Sequence, residues 1–117
     1  MTDVVVTDRF KEWYEALSMQ EQEAVFRVVT LLEGRGVSLG YPYSSAIEGS
    51  RHALRELRVQ HQGRPYRVLY AFDPERNAVL LLGGDKGGKE RFYEQSIPIA
   101  EALWEQYLEE RSTEREG

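Results

Sequence analysis

Nine of the chain's fifteen Lys and Arg fall between residues 51 and 91: Arg51, Arg55, Arg58, Arg64, Arg67, Arg76, Lys86, Lys89 and Arg91. Only five of its twenty acids lie there, so this stretch carries +4 and the remainder −9. Such a concentration suits phosphate. A guanidinium is planar, permanently charged and bidentate, and an ammonium is a compact point charge. Arg58 and Arg67 fall on two neighbouring strand-like segments, where they could fork around phosphate oxygens. Lys86 sits in what reads as a glycine-rich loop, Gly83–Gly88, just past a third strand-like segment. The competing reading makes Arg58 and Arg67 solvated sheet charges, or partners of Glu56 and Asp73, and makes Lys86 a plain turn lysine. The net charge of −5 argues against nucleic acid for the molecule as a whole. Its distribution leaves a local anion-binding face open.

Other chemistries are poorly supplied. There is no cysteine, which excludes disulfides, cysteine-ligated metals and a thiol nucleophile. Histidine is a residue type suited to proton transfer, but His52 and His61 fall beside a strand and on a turn, as surface histidines do. No Ser-His-Asp arrangement is visible. The glycine-rich segment lacks the phosphate-loop pattern of nucleotide-dependent enzymes. Asp73 and Asp85 make a weak case for a cation. Trp13/Tyr14 and Trp104/Tyr107 fit apolar helix faces better than ligand cages.

The elements that must position these groups follow from periodicity. A chain of 117 residues, 41% hydrophobic and 30% charged, predicts one globular domain over 1–117. Val4–Val6 is a short strand. Thr7 or Asp8 can cap a helix to Leu17 with Phe10, Trp13, Tyr14 and Leu17 on one side. Ser18 with Glu21 forms a capping-box pattern for a second helix lined by Ala24, Val25, Val28, Val29, Leu31 and Leu32 and ended by Gly34 and Gly36. The pair predicts an antiparallel hairpin. Val37–Ser50 reads as a loop.

The period then changes to two. Leu54–Gln60 sets Leu57 and Val59 opposite Glu56, Arg58 and Gln60. Tyr66–Phe72 and Ala78–Gly83 follow across short turns as an antiparallel meander, the last strand buried on both faces. A final helix is expected from Pro98 to about Glu110, with 111–117 frayed. The fold class is α+β: a small, antiparallel-dominated sheet covered by the N-terminal hairpin and the C-terminal helix. No apolar run approaches the ~20 residues of a membrane span, and the N-terminus lacks a signal-peptide pattern. A cytoplasmic protein is the expectation.

Four ordered motifs carry a family resemblance: Glu56-Leu-Arg-Val; Gly63-Arg-Pro-Tyr-Arg-Val-Leu-Tyr-Ala-Phe-Asp73; Leu81-Leu-Gly-Gly-Asp-Lys86; and Arg91-Phe-Tyr-Glu94 with Ile97-Pro-Ile-Ala100. Over about residues 3–110 the chain resembles the phage-related HigB-like toxins of the RelE/ParE superfamily. The resemblance implies a RelE-like fold and the toxin of a type II toxin–antitoxin system. It implies a ribosome-dependent messenger RNA endoribonuclease using 2′-hydroxyl attack on phosphate without metal or other cofactor. It also implies a HigA-like antitoxin partner bearing a helix-turn-helix domain. Ribosome and messenger RNA are the other expected partners, and no membrane is.

On this reading Arg67 and Arg58 stabilise the phosphorane, and Lys86 occupies the place of a cationic catalytic residue. Tyr93 matches a late tyrosine used near the RNA, although a tyrosine buried under the last helix fits as well. Glu56 stands where RelE has a lysine, as a base or as a salt-bridge partner of Arg58. Arg55, Lys89 and Arg91 are candidate RNA contacts. The acidic Glu94–Gly117 segment is expected to pack its apolar stripe on the sheet and turn its acids outward. That puts the RNA contact away from the last helix and an antitoxin at least partly on the helical face. The alternative is a ParE-like, non-enzymatic inhibitor of DNA gyrase, with the cations as an interaction surface.

Overall fold

The computed structural model describes residues 1–87 and 91–116. The order is β1 (Val4–Val6), α1 (Asp8–Glu15), α2 (Met19–Arg35), β2 (Ser44–Ala46), β3 (Arg55–His61), β4 (Arg64–Phe72), β5 (Ala78–Asp85) and α3 (Arg91–Glu116). One sheet runs β1-β5-β4-β3-β2, antiparallel except where β1 lies parallel to β5. The Val37–Ser50 segment therefore contains a strand that periodicity did not reveal, because three residues are too few to display a period.

Both N-terminal helices start where side-chain caps dictate. Thr7 Oγ1 accepts the Phe10 amide at 3.1 Å. Ser18 and Glu21 close a reciprocal capping box at 3.2 and 2.8 Å. The hairpin lays Phe10, Val25, Val28 and Leu32 on one sheet face, against Leu57, Val59, Val68, Tyr70 and Leu80. The helix α3 covers the other face, where Ala100 and Trp104 meet Leu54, Leu69, Ala71, Val79 and Leu81. Interior strands buried on both faces account for the near-continuous apolar run in β5.

A bulge at the junction of Leu69/Tyr70 with Leu80–Leu82 inserts one extra residue into β5. Beyond it the facing reverses, so Gly83 points to the hairpin and Gly84 to α3. A Cβ on Gly83 would fall 2.3 Å from the Trp13 ring, and one on Gly84 2.6 Å from Phe92. These two glycines are therefore strand residues on which aromatic rings rest, not the start of a loop. The last helix also differs from expectation. It begins at Arg91 and runs through Pro98 to Glu116, because Phe92 and Ile97 join Ala100 and Trp104 in the core under it. That packing outweighs the hydrogen bond Pro98 cannot donate to the Glu94 carbonyl.

Candidate catalytic site

Cross-strand register builds the site. Arg58 on β3 pairs directly with Arg67 on β4, and Arg67 with Gly84 on β5. Like charges placed opposite one another repel, and Glu56 lies beside both. Its Oε1 is 3.5 Å from Arg67 Nε, and its Oε2 is 3.6 Å from Arg58 Nη1. Two hydroxyls complete the cage: Tyr93 donates to Oε1 at 2.5 Å, and Ser45 to Oε2 at 2.9 Å. Glu56 is only 6% exposed, so this compensation is what permits a carboxylate there. The Lys86 ammonium stands over the Tyr93 ring, 5.4 Å from its centroid. The Arg58 guanidinium stands over Tyr41 at 5.3 Å.

Burial separates the roles of the two arginines. Arg67 is 5% exposed and donates through Nη1 to the Tyr66 carbonyl at 3.0 Å. Its Nε is buried without a hydrogen-bond partner, which among the described residues is shared only by Asp85 Oδ1. At 5% exposure Arg67 acts mainly as a positive charge beneath the surface. The Arg58 side chain retains 30% exposure and Lys86 is half-buried, so these two can meet a phosphate directly. Burial first, and the Glu56 hydrogen bond second, push the Tyr93 phenol up. That keeps it a proton donor at neutral pH.

The structure thus brings together Glu56, Arg58, Arg67, Lys86 and Tyr93. Arg91 is exposed two residues before Tyr93. Arg55 lies elsewhere: it points to the hairpin face and donates to Ser44 Oγ at 3.2 Å. Lys89 lies outside the described residues. Ser45 and Tyr41 were not singled out by sequence; their one signal was a position in a Gly/Pro/Ser-rich segment.

The expectation that the cations lie away from the last helix is overturned. Arg67 shares its face with Leu69 and Ala71, which pack on α3, and Tyr93 from the first turns of α3 closes the site. The acids of α3 do not all face outward either. Glu101 is buried and accepts from the Arg51 amide and Ser50, and Glu105 holds Arg51 and His52. Among the described residues no group of three or more His, Asp or Glu could hold a metal ion, and no helix is long and apolar enough to cross a membrane.

Comparison with known proteins agrees with this architecture. Residues 12–105 match the family described as "Phage derived protein Gp49-like". HigB3 of Mycobacterium tuberculosis, named as a toxin, is 39% identical over 107 residues, covering 90% of this chain and 92% of that protein. HigB2 of the same organism, also named as a toxin, is 36% identical over 104 residues; the chain spans only 52% of its length. Among solved structures, a chain of the archaeal RelE-RelB complex from Pyrococcus horikoshii aligns with a TM-score of 0.54 at 17% identity, over 74% of this chain and 96% of that one. A match across most of the chain and a HigB relative of nearly equal length together place the chain in the phage-derived Gp49-like family, beside the HigB toxins and with a RelE-like fold.

Proposed function

We propose that the chain is the toxin of a toxin–antitoxin pair and cleaves messenger RNA on the ribosome. The observation that carries this reading is the Glu56–Tyr93 hydrogen bond set among Arg58, Arg67 and Lys86, a base and an acid in contact inside a cationic frame. Glu56 takes the proton of a ribose 2′-hydroxyl, and the 2′-oxygen forms a bond to the adjacent phosphorus. The bond from phosphorus to the 5′-oxygen breaks, and that oxygen leaves with the Tyr93 proton. Tyr93 recovers a proton from Glu56 through their hydrogen bond. The products are a 2′,3′-cyclic phosphate and a 5′-hydroxyl, and the protein returns to its starting state. Arg58 and Lys86 contact the phosphate, and Arg67 adds positive field from below as negative charge accumulates. An antitoxin carrying a helix-turn-helix domain silences the toxin.

The test is a purified translation reaction read by primer extension. The reading requires cuts in translated messages that need both the protein and ribosomes. Cuts on naked RNA would remove the ribosome from it. Intact messages together with inhibited gyrase supercoiling would replace it with the binding-module alternative.

A further inference from the structure

We propose that Tyr41 is a second RNA contact, the stacking platform for an unpaired nucleobase on the flank of the scissile phosphate opposite Tyr93. The inference rests on the ribonuclease reading above and concerns a residue outside the catalytic cluster. Tyr41 is 78% exposed, so packing gives no reason for an aromatic ring there. Its place is nevertheless fixed. The Gly40 carbonyl accepts the amides of Tyr43 and Ser44 at 3.1 and 3.0 Å, and the Tyr43 carbonyl accepts the Arg58 amide at 2.8 Å. The turn bearing Tyr41 is thereby fastened to the strand bearing Glu56 and Arg58.

The Arg58 guanidinium joins the two features. It stands over the Tyr41 ring at 5.3 Å while its Nη1 faces Glu56 at 3.6 Å. Tyr93 and Lys86 form the matching aromatic–cation pair on the other Glu56 oxygen. Strand order places these pairs on opposite sides of the centre: Lys86 follows β5, Tyr41 precedes β2, and Arg67 and Glu56 lie on β4 and β3 between them. Three strand spacings are on the order of 14 Å, room for more than one nucleotide. Exposed aromatics beside cations are how proteins hold splayed single-stranded bases.

Wild type, Tyr41→Ala, Tyr41→Phe and Tyr41→Trp are compared in the ribosome cleavage reaction at increasing concentrations of programmed ribosomes. Thermal unfolding of each variant accompanies it, and an exposed side chain predicts unchanged midpoints. Loss of one stacked base predicts a roughly tenfold rise in the half-saturating concentration for Tyr41→Ala. Its maximal rate should stay within about twofold of wild type, and Phe and Trp should behave as wild type. The base profile beside the cut should flatten at one position for Tyr41→Ala. A variant that merely released Arg58 would instead lose maximal rate at all sites alike, and that result overturns the proposal. Equal losses for Ala and Phe overturn it too, as does wild-type cleavage by Tyr41→Ala with weakened antitoxin binding. If the wild-type protein leaves messages intact, the ribonuclease reading fails and takes this proposal with it.

Discussion

At the scale of single residues, the proposed chemistry and the stability of the fold meet at Glu56. Glu56→Gln keeps one acceptor oxygen in place of two, so either Tyr93 or Ser45 loses its acceptor, and it removes the proposed base. It should lower cleavage by roughly 100-fold or more, read by primer extension on protein whose fold circular dichroism has verified, because the change also leaves the buried Arg67 without its counter-charge. Arg67 demands different handling. It is buried against Glu56, so Arg67→Ala strands a buried carboxylate at a cost of about 3 kcal/mol or more. A loss of toxicity in that variant would report unfolding as readily as chemistry. Arg58→Ala, at a partly exposed position, is the cleaner removal of a phosphate contact; unchanged cleavage by a folded Arg58→Ala protein would remove Arg58 from the mechanism.

The ordered motifs made Glu56, Arg58, Arg67, Lys86 and Tyr93 legible before any coordinates. Ser45 and Tyr41 were not legible, because their contacts depend on three-residue β2 adding to β3 in one register. No local pattern encodes that pairing.

Elements add constraints that residue lists conceal. Gly83 and Gly84 looked like the opening of a loop because composition cannot separate a glycine chosen for a turn from one chosen so that a ring can lie on the backbone. The structure shows the second case, and it yields a test. Gly84→Ala must displace Phe92, for a loss of about 1–3 kcal/mol in urea unfolding. Phe92→Leu in the same chain should recover part of that loss; strictly additive losses would show that Phe92 is not what the glycine accommodates.

The end of α3 carries a contact that its composition does not reveal. Its polar tail suggested fraying, yet Arg111 reaches back to Asp73 at 3.6 Å and to Glu75. Burial pushes the Asp73 carboxyl up, but hydrogen bonds from Asn77 and Tyr107 and from the Asn77 and Glu75 amides hold it below its ordinary value. Tyr107 is pushed up to about 12 by burial and by Asp73. Truncation after Glu110 therefore removes an anchoring ion pair. It should lower the thermal midpoint by several degrees. An unchanged midpoint would restore the frayed-tail reading.

The caps and ion pairs also give these elements a pH dependence. The Tyr66 hydroxyl first, then the Ser18 amide and hydroxyl, lower Glu21 from 4.5 to about 2. Glu105, held by His52 and Arg51, and Glu101, held by the Arg51 amide and Ser50, are lowered as well. A depressed folded-state value means that the stabilisation is complete above the unfolded value, near 4.5 for Glu21, and is lost as pH falls toward about 2. Urea midpoints should therefore hold from pH 7 to 5 and drop between 4.5 and 2. Glu21→Gln should flatten part of that drop; a variant curve parallel to wild type would remove Glu21 as a contributor.

For the whole molecule, charge placement decides how the proposed RNA substrate could be met. The chain carries −5, with its cations gathered toward the middle of the sequence, and long-range attraction to a polyanion is correspondingly weak. Sequence alone exposed this asymmetry but put the cations on the wrong side. The reason is that strand parity and the seven-residue earlier start of α3 both had to be known to see Tyr93 closing over Glu56. Of the site's cations, Arg58, Lys86 and Arg91 reach solvent, whereas Arg67 does not. Three contacts to single-stranded RNA give a slope of about −2 for the logarithm of affinity against the logarithm of salt. Cleavage efficiency on programmed ribosomes should be followed across potassium concentrations for wild type, Lys86→Ala and Arg9→Ala, so that the ribosome's own salt response cancels between variants. Lys86→Ala should make the slope shallower by about 0.7, whereas Arg9→Ala, exposed on α1 of the opposite layer, should leave it unchanged. Equal slopes for all three proteins would mean that Lys86 touches no phosphate, and the cationic frame would then have to act entirely through its buried charge.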